Sequence, residues 1–300
     1  MRSLFLTLLL GTSLFFARQT AVAQTTLPLW PASALGGTTT QHETDTTTAK
    51  DDLIAGKRVQ RLTGVSNPTI AIYPAPAQNN TDAAVVVFPG GGYRILAFDL
   101  EGTEVCDWLN SVGVTCVLLK YRVPNAGPFP AHSEALADAQ RAVRLTRLHA
   151  AEWKLDPNRV GVLGFSAGGH LAAALSNHAK DEVYKPADAA DQLSAMPNFA
   201  IMIYPGGLVH PPDRRQLESG LTPTSATPPT FLVQAEDDPV HVENTLVYFE
   251  ALKEANVPSE MHVFAHGGHG YGLRPTALPI TKWPALATEW LHTIGMLTPR

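Results

Sequence analysis

The residues best suited to acyl transfer lie in the pentapeptide 164–168, Gly-Phe-Ser-Ala-Gly. In this G-x-S-x-G pattern, a serine hydroxyl stands on a sharp turn between a strand and a helix. Glycines two positions before and after the serine are needed because the backbone is too crowded there for a β-carbon. The apolar run 160–164 predicts the strand and residues 168–179 predict the helix, so Ser166 is the candidate nucleophile. The alternative, a serine without a catalytic role in a glycine-rich turn, explains fewer of these features.

A serine hydroxyl needs a general base, and two histidines lie in a glycine-rich stretch after the last apolar run. We favour His269 as the base, since the following Gly-Tyr-Gly lets the chain turn back, whereas His266 is nearer the strand end. The acid that orients this imidazole should follow the preceding strand. We favour Asp238 as this acid, with Asp237 as its rival. His266 and His269 predict no metal site, because no nearby carboxylate completes a ligand set.

Donors for a developing oxyanion are predicted in the stretch 88–93, Phe-Pro-Gly-Gly-Gly-Tyr, which follows an apolar strand. The N–H groups of Gly91, Gly92 and Ala167 would form the oxyanion hole. A phosphate loop for a nucleotide is excluded, because residue 95 is isoleucine where the third glycine is required, and the G-x-x-x-x-G-K-[ST] pattern is also missing. A flexible turn is the remaining alternative.

The elements that must position these residues alternate from about residue 68 onward. Short β-branched runs and amphipathic stretches follow one another, which predicts a mostly parallel, doubly wound α/β sheet with crossover helices. We predict one catalytic domain over 68–300, in which the loop 205–229 is too short to be a lid domain. Strands are predicted at 69–73, 83–88, 114–120, 160–164, 199–204, 230–235 and 261–264, and helices at 100–111, 133–153, 168–179, 243–255 and 282–295.

The N-terminus has the pattern of a secretory signal. Arg2 precedes the apolar run 4–10, and Ala-Val-Ala at 21–23 supplies a cleavage site. A membrane anchor is the alternative, but the run is too short to span a bilayer. We therefore predict a signal peptide over 1–23, cleavage near Ala23, and a periplasmic or secreted mature protein that is not membrane-bound. Residues 24–67 are predicted to form an N-terminal arm, within which 38–52 is solvated.

The net charge bears on which partners the protein binds, and the two cysteines leave open whether a disulfide forms. The formal net charge is -5 and no basic tract occurs, which argues against nucleic-acid binding. Cys106 is predicted on a helix and Cys116 on the next strand, both on apolar faces. Export permits a disulfide between them, and two separate buried thiols are an equally good interpretation.

Several of these stretches together resemble a known family. Pro-Gly-Gly-Gly-Tyr at 89–93 and Gly-Phe-Ser-Ala-Gly-Gly-His-Leu at 164–171 are similar to motifs of the α/β-hydrolase carbohydrate esterases, the acetylxylan-esterase-like and xylanase-B-like acetylesterases. The resemblance extends from Leu-Pro-Leu-Trp at 27–30 to the last helix. One departure is Gln234, where many relatives have histidine. Glu101 matches a recurring family feature, and its simplest role is that of a carboxylate at a helix N-terminus.

The resemblance implies an α/β-hydrolase fold without a large lid domain. It implies removal of acetyl groups from plant-wall polysaccharides such as xylan, with neither metal nor organic cofactor. The family's triad roles would fall to Ser166, Asp238 and His269, and its oxyanion donors would be Gly91, Gly92 and Ala167. Beside these loops, Tyr93 and Tyr271 are predicted to contact the substrate, an acetylated glycan or a small ester.

Three other functions remain open. A feruloyl or general short-chain carboxylesterase uses the same catalytic parts. A serine peptidase of the prolyl-oligopeptidase type shares the fold, but this chain is too short to hold the propeller domain that such peptidases carry. A non-catalytic binding member of the fold normally lacks a triad residue, whereas all three have candidates here.

Overall fold

The computed structural model describes residues 25–32, 34, 42–125 and 133–297. The predicted signal peptide lies outside these residues. Within the described part of the chain, every helix is too short or too polar to cross a membrane.

The strands form one large sheet and one small one. The large sheet has the order β1-β4-β7-β5-β8-β9-β10-β11, and the strands from β7 onward are parallel to one another. The small antiparallel sheet has the order β2-β3-β6. The strand bounds are β1 Thr25–Pro28, β2 Thr44–Asp45, β3 Arg61–Thr63, β4 Thr69–Tyr73, β5 Ala84–Phe88, β6 Leu96–Ala97, β7 Thr115–Lys120, β8 Val160–Phe165, β9 Ala200–Ile203, β10 Thr230–Ala235 and β11 Ser259–Phe264.

Helices cover both faces of the large sheet, which explains why its central strands are apolar on both sides. In β5, Val86 and Phe88 pack with α2, α3 and α4, whereas Val85 and Val87 pack with α1 and α5. The doubly wound α/β architecture predicted from the sequence is confirmed. The helices are α1 Glu104–Ser111, α2 Ser133–Leu148, α3 Ala167–His178, α4 Glu243–Glu254 and α5 Trp283–Thr293, with single turns at Asp99–Thr103, Ala189–Gln192 and Pro279–Lys282.

Two predicted helices differ from the observed ones by four residues or more at one end. The helix α2 ends at Leu148 instead of residue 153, because the chain then turns and Leu155 N–H bonds the Ala150 carbonyl. The helix predicted to begin at residue 100 is preceded by a wide π-helical turn, Asp99–Thr103, and α1 proper begins at Glu104.

Part of the N-terminal arm predicted for 24–67 contacts the catalytic domain. Thr25–Pro28 is an edge strand that pairs antiparallel with β4. Beyond it, the Trp30 indole N–H donates to Asp138 of α2 at 2.7 Å, and the Arg141 side chain donates to the Leu29 carbonyl at 3.0 Å. These contacts join positions more than 100 residues apart, so local periodicity could not indicate them.

Cys106 of α1 and Cys116 of β7 form a disulfide, with their Cα atoms 5.1 Å apart. Both cysteines are fully buried in the core on the α1 and α5 face of the sheet. The structure therefore decides between the two interpretations that the sequence left open.

Removing this disulfide is expected to lower the stability of the fold. A bond across ten residues restricts the unfolded chain, and a double Cys106→Ala and Cys116→Ala variant should lose about 2–4 kcal/mol in free energy of unfolding. Urea unfolding of the oxidised wild type and the variant measures this loss. Wild type unfolded in the presence of reductant is the control, and its urea midpoint should shift toward that of the variant. A midpoint that neither the substitutions nor the reductant lower would contradict the prediction.

Candidate active site

Ser166 lies between β8 and α3 on a turn that the surrounding backbone holds in place. Its φ is +52°, a left-handed conformation that is uncommon for a residue other than glycine. A β-carbon at Gly164 would collide with the Gly168 carbonyl, and one at Gly168 would collide with the Phe88 carbonyl. The Ser166 N–H bonds the Ile203 carbonyl at 3.1 Å, so the neighbouring strand β9 fixes this turn.

The structure brings Ser166, His269 and Asp238 into one hydrogen-bonded chain. The Ser166 Oγ and His269 Nε2 atoms are 2.8 Å apart, and His269 Nδ1 and Asp238 Oδ2 are 2.9 Å apart. The Nδ1 atom donates to the carboxylate, so Nε2 is left to accept the serine proton. Asp238 is 4% exposed, and Ser166 and His269 are partly buried. The arrangement can transfer a proton from the hydroxyl to an imidazole that a buried carboxylate orients.

Asp237, the rival acid, has different contacts. Its Oδ1 accepts hydrogen bonds from the N–H groups of Gly267 and Gly268 at 2.9 and 2.8 Å, and its Oδ2 lies 3.3 Å from His266 Nδ1. The bond from Gly268 is the main cause that lowers the pKa of Asp237. Asp237 thus supports the loop 265–272, which carries His269, and we call this segment the histidine loop. His266 is exposed and does not reach Ser166.

Gln234 also contacts the triad acid. Its side-chain amide donates to Asp238 Oδ2 at 3.1 Å, the same oxygen that His269 contacts. Its carbonyl oxygen accepts from the Thr245 hydroxyl of α4. Gln234 is fully buried, so its amide cannot rotate away to bond water. At the position where the resemblance leads one to expect histidine, glutamine donates a hydrogen bond to the acid.

The predicted oxyanion donors lie on two segments that meet beside Ser166. Gly91 and Gly92 belong to residues 89–93, which we call the oxyanion loop, and Ala167 is the first residue of α3. Within the described part of the chain, the N–H groups of these three residues donate no hydrogen bond. An N–H at a helix N-terminus favours a negative charge nearby. All three donors are thus available to an oxyanion.

Tyr93 and Tyr271, which are predicted to contact the substrate, are largely buried, and their contact with the substrate stays a prediction. Each is 5% exposed. The Tyr93 hydroxyl lies 2.8 Å from His170 Nδ1, and the Tyr271 ring packs edge-on against Tyr204 at 4.5 Å. An aromatic residue in a glycine-rich loop can face inward or outward, and its type alone does not distinguish the two.

Sequence reasoning overlooked Tyr204 and assigned Glu101 too simple a role. Glu101 lies in the first turn of a helical segment, as predicted, but it is 4% exposed and also accepts a hydrogen bond from the Tyr204 hydroxyl. Tyr204 follows β9, and its ring lies 4.9 Å from that of His269. The available signal was an acidic residue at position 101, close in sequence to the glycine-rich stretch 89–93.

Three bulky or polar residues around the site have strained backbones. The φ angles are +52° at Ser166, +57° at Tyr93 and +39° at Tyr204. Left-handed backbone costs about 1–3 kcal/mol at such residues and persists only where the surrounding structure enforces it. Their clustering is typical of a site whose geometry is fixed in advance.

Comparison with known proteins agrees with the geometry. A family model described as the alpha/beta hydrolase fold matches residues 85–227. A solved structure of an acetyl ester-xyloside bifunctional hydrolase from Caldicellulosiruptor lactoaceticus is 31% identical, with a TM-score of 0.72. The alignment covers 91% of this chain and 97% of that one.

Two curated relatives are longer than this chain. An acetylxylan esterase of Xylanibacter ruminicola is 30% identical over 65% of this chain and 42% of its own length. An endo-1,4-beta-xylanase B of Butyrivibrio fibrisolvens is 32% identical over 62% of this chain and 32% of its own length. This chain therefore spans less than half the length of either relative.

Proposed function

The chain belongs to the α/β-hydrolase family, and from this premise we propose that it is a serine esterase that removes acetyl groups from plant-wall glycans. The observation that carries the proposal is the hydrogen-bonded chain from Ser166 through His269 to Asp238, at 2.8 and 2.9 Å. These distances lie within the range in which a general base can take up a hydroxyl proton.

In the first half of the proposed reaction, Ser166 Oγ attacks the acetyl carbonyl carbon and its proton passes to His269 Nε2. The carbonyl oxygen becomes an oxyanion, which accepts hydrogen bonds from Gly91, Gly92 and Ala167. Asp238 stabilises the imidazolium without itself taking a proton. His269 then donates the proton to the departing sugar oxygen, which leaves an acetyl group esterified to Ser166.

In the second half, water replaces the sugar. His269 takes a proton from the water as its oxygen attacks the acetyl carbon, and a second oxyanion forms in the same place. The proton then returns to Ser166 Oγ, and acetate departs. The enzyme regains its starting protonation state after each turnover.

Two relatives support the proposed substrate class. The Xylanibacter ruminicola protein is named as an acetylxylan esterase, and the Caldicellulosiruptor lactoaceticus protein as an acetyl ester-xyloside hydrolase. We further propose export of the mature chain, since the first 23 residues have the pattern of a secretory signal and xylan lies outside cells.

A substrate panel tests this function. We expect kcat/KM for acetate release from acetylated xylooligosaccharides to exceed kcat/KM for long-chain acyl esters, because the relatives are named for acetyl esters. Aryl acetate, butyrate and ferulate esters complete the panel. Preference for the ferulate or butyrate ester would favour the feruloyl or general carboxylesterase alternative, and preference for long acyl chains would contradict the glycan proposal.

A further inference from the structure

A second buried carboxylate, Glu101, lies beside the triad without belonging to it. It is 4% exposed, in the π-helical turn Asp99–Thr103 that precedes α1. Turns of this kind are rare and occur often at functional sites. A buried carboxylate needs donors, and the donors that Glu101 has are all connected to the active-site loops.

Hydrogen bonds connect Glu101 directly to the oxyanion loop and, through Tyr204, to the histidine loop. Its Oε2 accepts from the Gly90 N–H of the oxyanion loop at 2.7 Å, and its Oε1 accepts from the Tyr204 hydroxyl at 2.8 Å. The same Tyr204 oxygen accepts from the Gly272 N–H of the histidine loop at 3.1 Å. Glu101 and Tyr204 thus form a continuous bridge from the oxyanion loop to the loop that carries His269.

The packing leaves this bridge little freedom. A β-carbon at Gly90 would lie 2.7 Å from Glu101 Oε2 and 2.9 Å from the Ser166 β-carbon, so the carboxylate and the nucleophile flank one glycine. The Tyr204 ring meets the His269 ring at 4.9 Å, and the backbone of Tyr204 has a left-handed conformation that persists only where the surrounding structure enforces it. A shift of Glu101 would therefore disturb both loops.

Several polar and charged groups act on the buried Glu101 carboxylate. Burial raises the pKa of Glu101, while the hydrogen bonds from Tyr204 and Gly90 and the positive charges of His269 and Arg61 act in the opposite direction. Burial and the neighbouring carboxylate also raise the pKa of Tyr204 well above its usual value, so this phenol stays neutral. The phenols of Tyr121 and Tyr271 are the other ionisable groups that feel the Glu101 charge, and burial keeps both neutral.

Given the serine-esterase function proposed above, we infer that Glu101 is an ionised positioning residue. Through Tyr204 it holds the oxyanion loop and the histidine loop in one arrangement. It does not touch the reacting atoms, so its effect reaches the substrate through Gly90, Gly272 and His269.

The first test is Glu101→Gln, which keeps the shape and removes the charge. We expect kcat per active site to fall about tenfold or more, less than the roughly 100- to 1,000-fold loss typical of a deleted oxyanion donor. KM should change little, because the substrate does not contact this residue.

The second test is Tyr204→Phe, which breaks the bridge but keeps the ring and the Glu101 charge. We expect a loss of about tenfold in kcat, comparable to loss of a hydrogen bond to a charged group. The double variant should lose less than the product of the two single losses, since both act through one bridge. Tyr248→Phe is the matched control. Its buried hydroxyl accepts a hydrogen bond from Asn177 in another part of the fold, and this variant should match wild type in kcat and KM.

Titration with a fluorophosphonate counts active sites, so misfolded protein does not enter kcat. If Glu101→Gln labels normally and keeps the wild-type kcat, the inference about Glu101 is overturned and the esterase function stands. A fall in kcat that is matched by a large change in KM, or fully multiplicative losses in the double variant, would likewise overturn it. If wild type does not label at Ser166, the proposed function fails, and this inference fails with it.

Discussion

Ser166→Ala is expected to lower kcat for acetyl ester hydrolysis by at least about 10,000-fold. The Ser166 hydroxyl, 2.8 Å from His269 Nε2, is the only atom in the proposed mechanism that forms a bond to the acyl carbon during the first step. Any activity that remains would come from oxyanion stabilisation and substrate binding alone. Steady-state hydrolysis of an aryl acetate measures the loss, and fluorophosphonate labelling followed by peptide mass analysis locates the adduct.

Ser176→Ala is a matched control on the same helix, α3. Its hydroxyl bonds the Ala172 carbonyl at 2.7 Å in the core, and we expect full labelling and wild-type turnover. Equal labelling of wild type and Ser166→Ala would show that another residue is the nucleophile. A non-catalytic binding member of the fold would give no adduct in either protein.

Asp238→Asn is expected to lower kcat by about 1,000- to 10,000-fold. An amide in place of the carboxylate can present N–H to His269, which favours the tautomer whose Nε2 carries the proton and cannot accept one from Ser166. The other oxygen, Asp238 Oδ1, accepts from the Val240 N–H, and asparagine keeps this acceptor, so the position of the side chain should survive the substitution. Loss of activity with an unchanged melting temperature is therefore the expected pattern.

Asp237→Asn is the comparison that separates the two neighbouring acids. An asparagine oxygen can still accept from Gly267 and Gly268, so the histidine loop keeps its main support. Its kcat should fall about tenfold or less, as expected for a group that supports a loop without meeting the imidazole. If the larger loss occurred at Asp237, the acid would be misassigned and the contact of 2.9 Å between Asp238 and His269 would have no catalytic meaning.

The parts of the fold that could be predicted from the sequence are those with strong local patterns. The strands β4 and β10 have the predicted bounds, because each is a short, largely apolar run that differs sharply from the prolines and acidic residues around it. The serine turn was predictable for the same reason, since two glycines and a flanking strand and helix occur within 20 residues. The edge strand β1 and the small sheet β2-β3-β6 have two to four residues per strand, too few to show a period.

The details of the site depended on contacts between distant parts of the chain. Asp237 and Asp238 are adjacent and chemically identical, and only the direction of each side chain distinguishes the one that meets His269 from the one that supports its loop. Glu101 and Tyr204 are 103 residues apart, and neither belongs to a recognisable motif with the other. The disulfide required the helix α1 to pack directly on β7, which residue spacing alone does not determine.

The three strained residues Ser166, Tyr93 and Tyr204 also bear on how the protein could be made more heat-resistant. Replacing Tyr93 or Tyr204 with glycine would relax the backbone, but it would also remove the ring that braces a catalytic loop. Natural and engineered variants of higher melting temperature should therefore differ at outlying apolar positions such as Leu53 and Leu148, which are 51% and 44% exposed. Thermal stability and catalytic turnover would then depend on separate parts of the molecule.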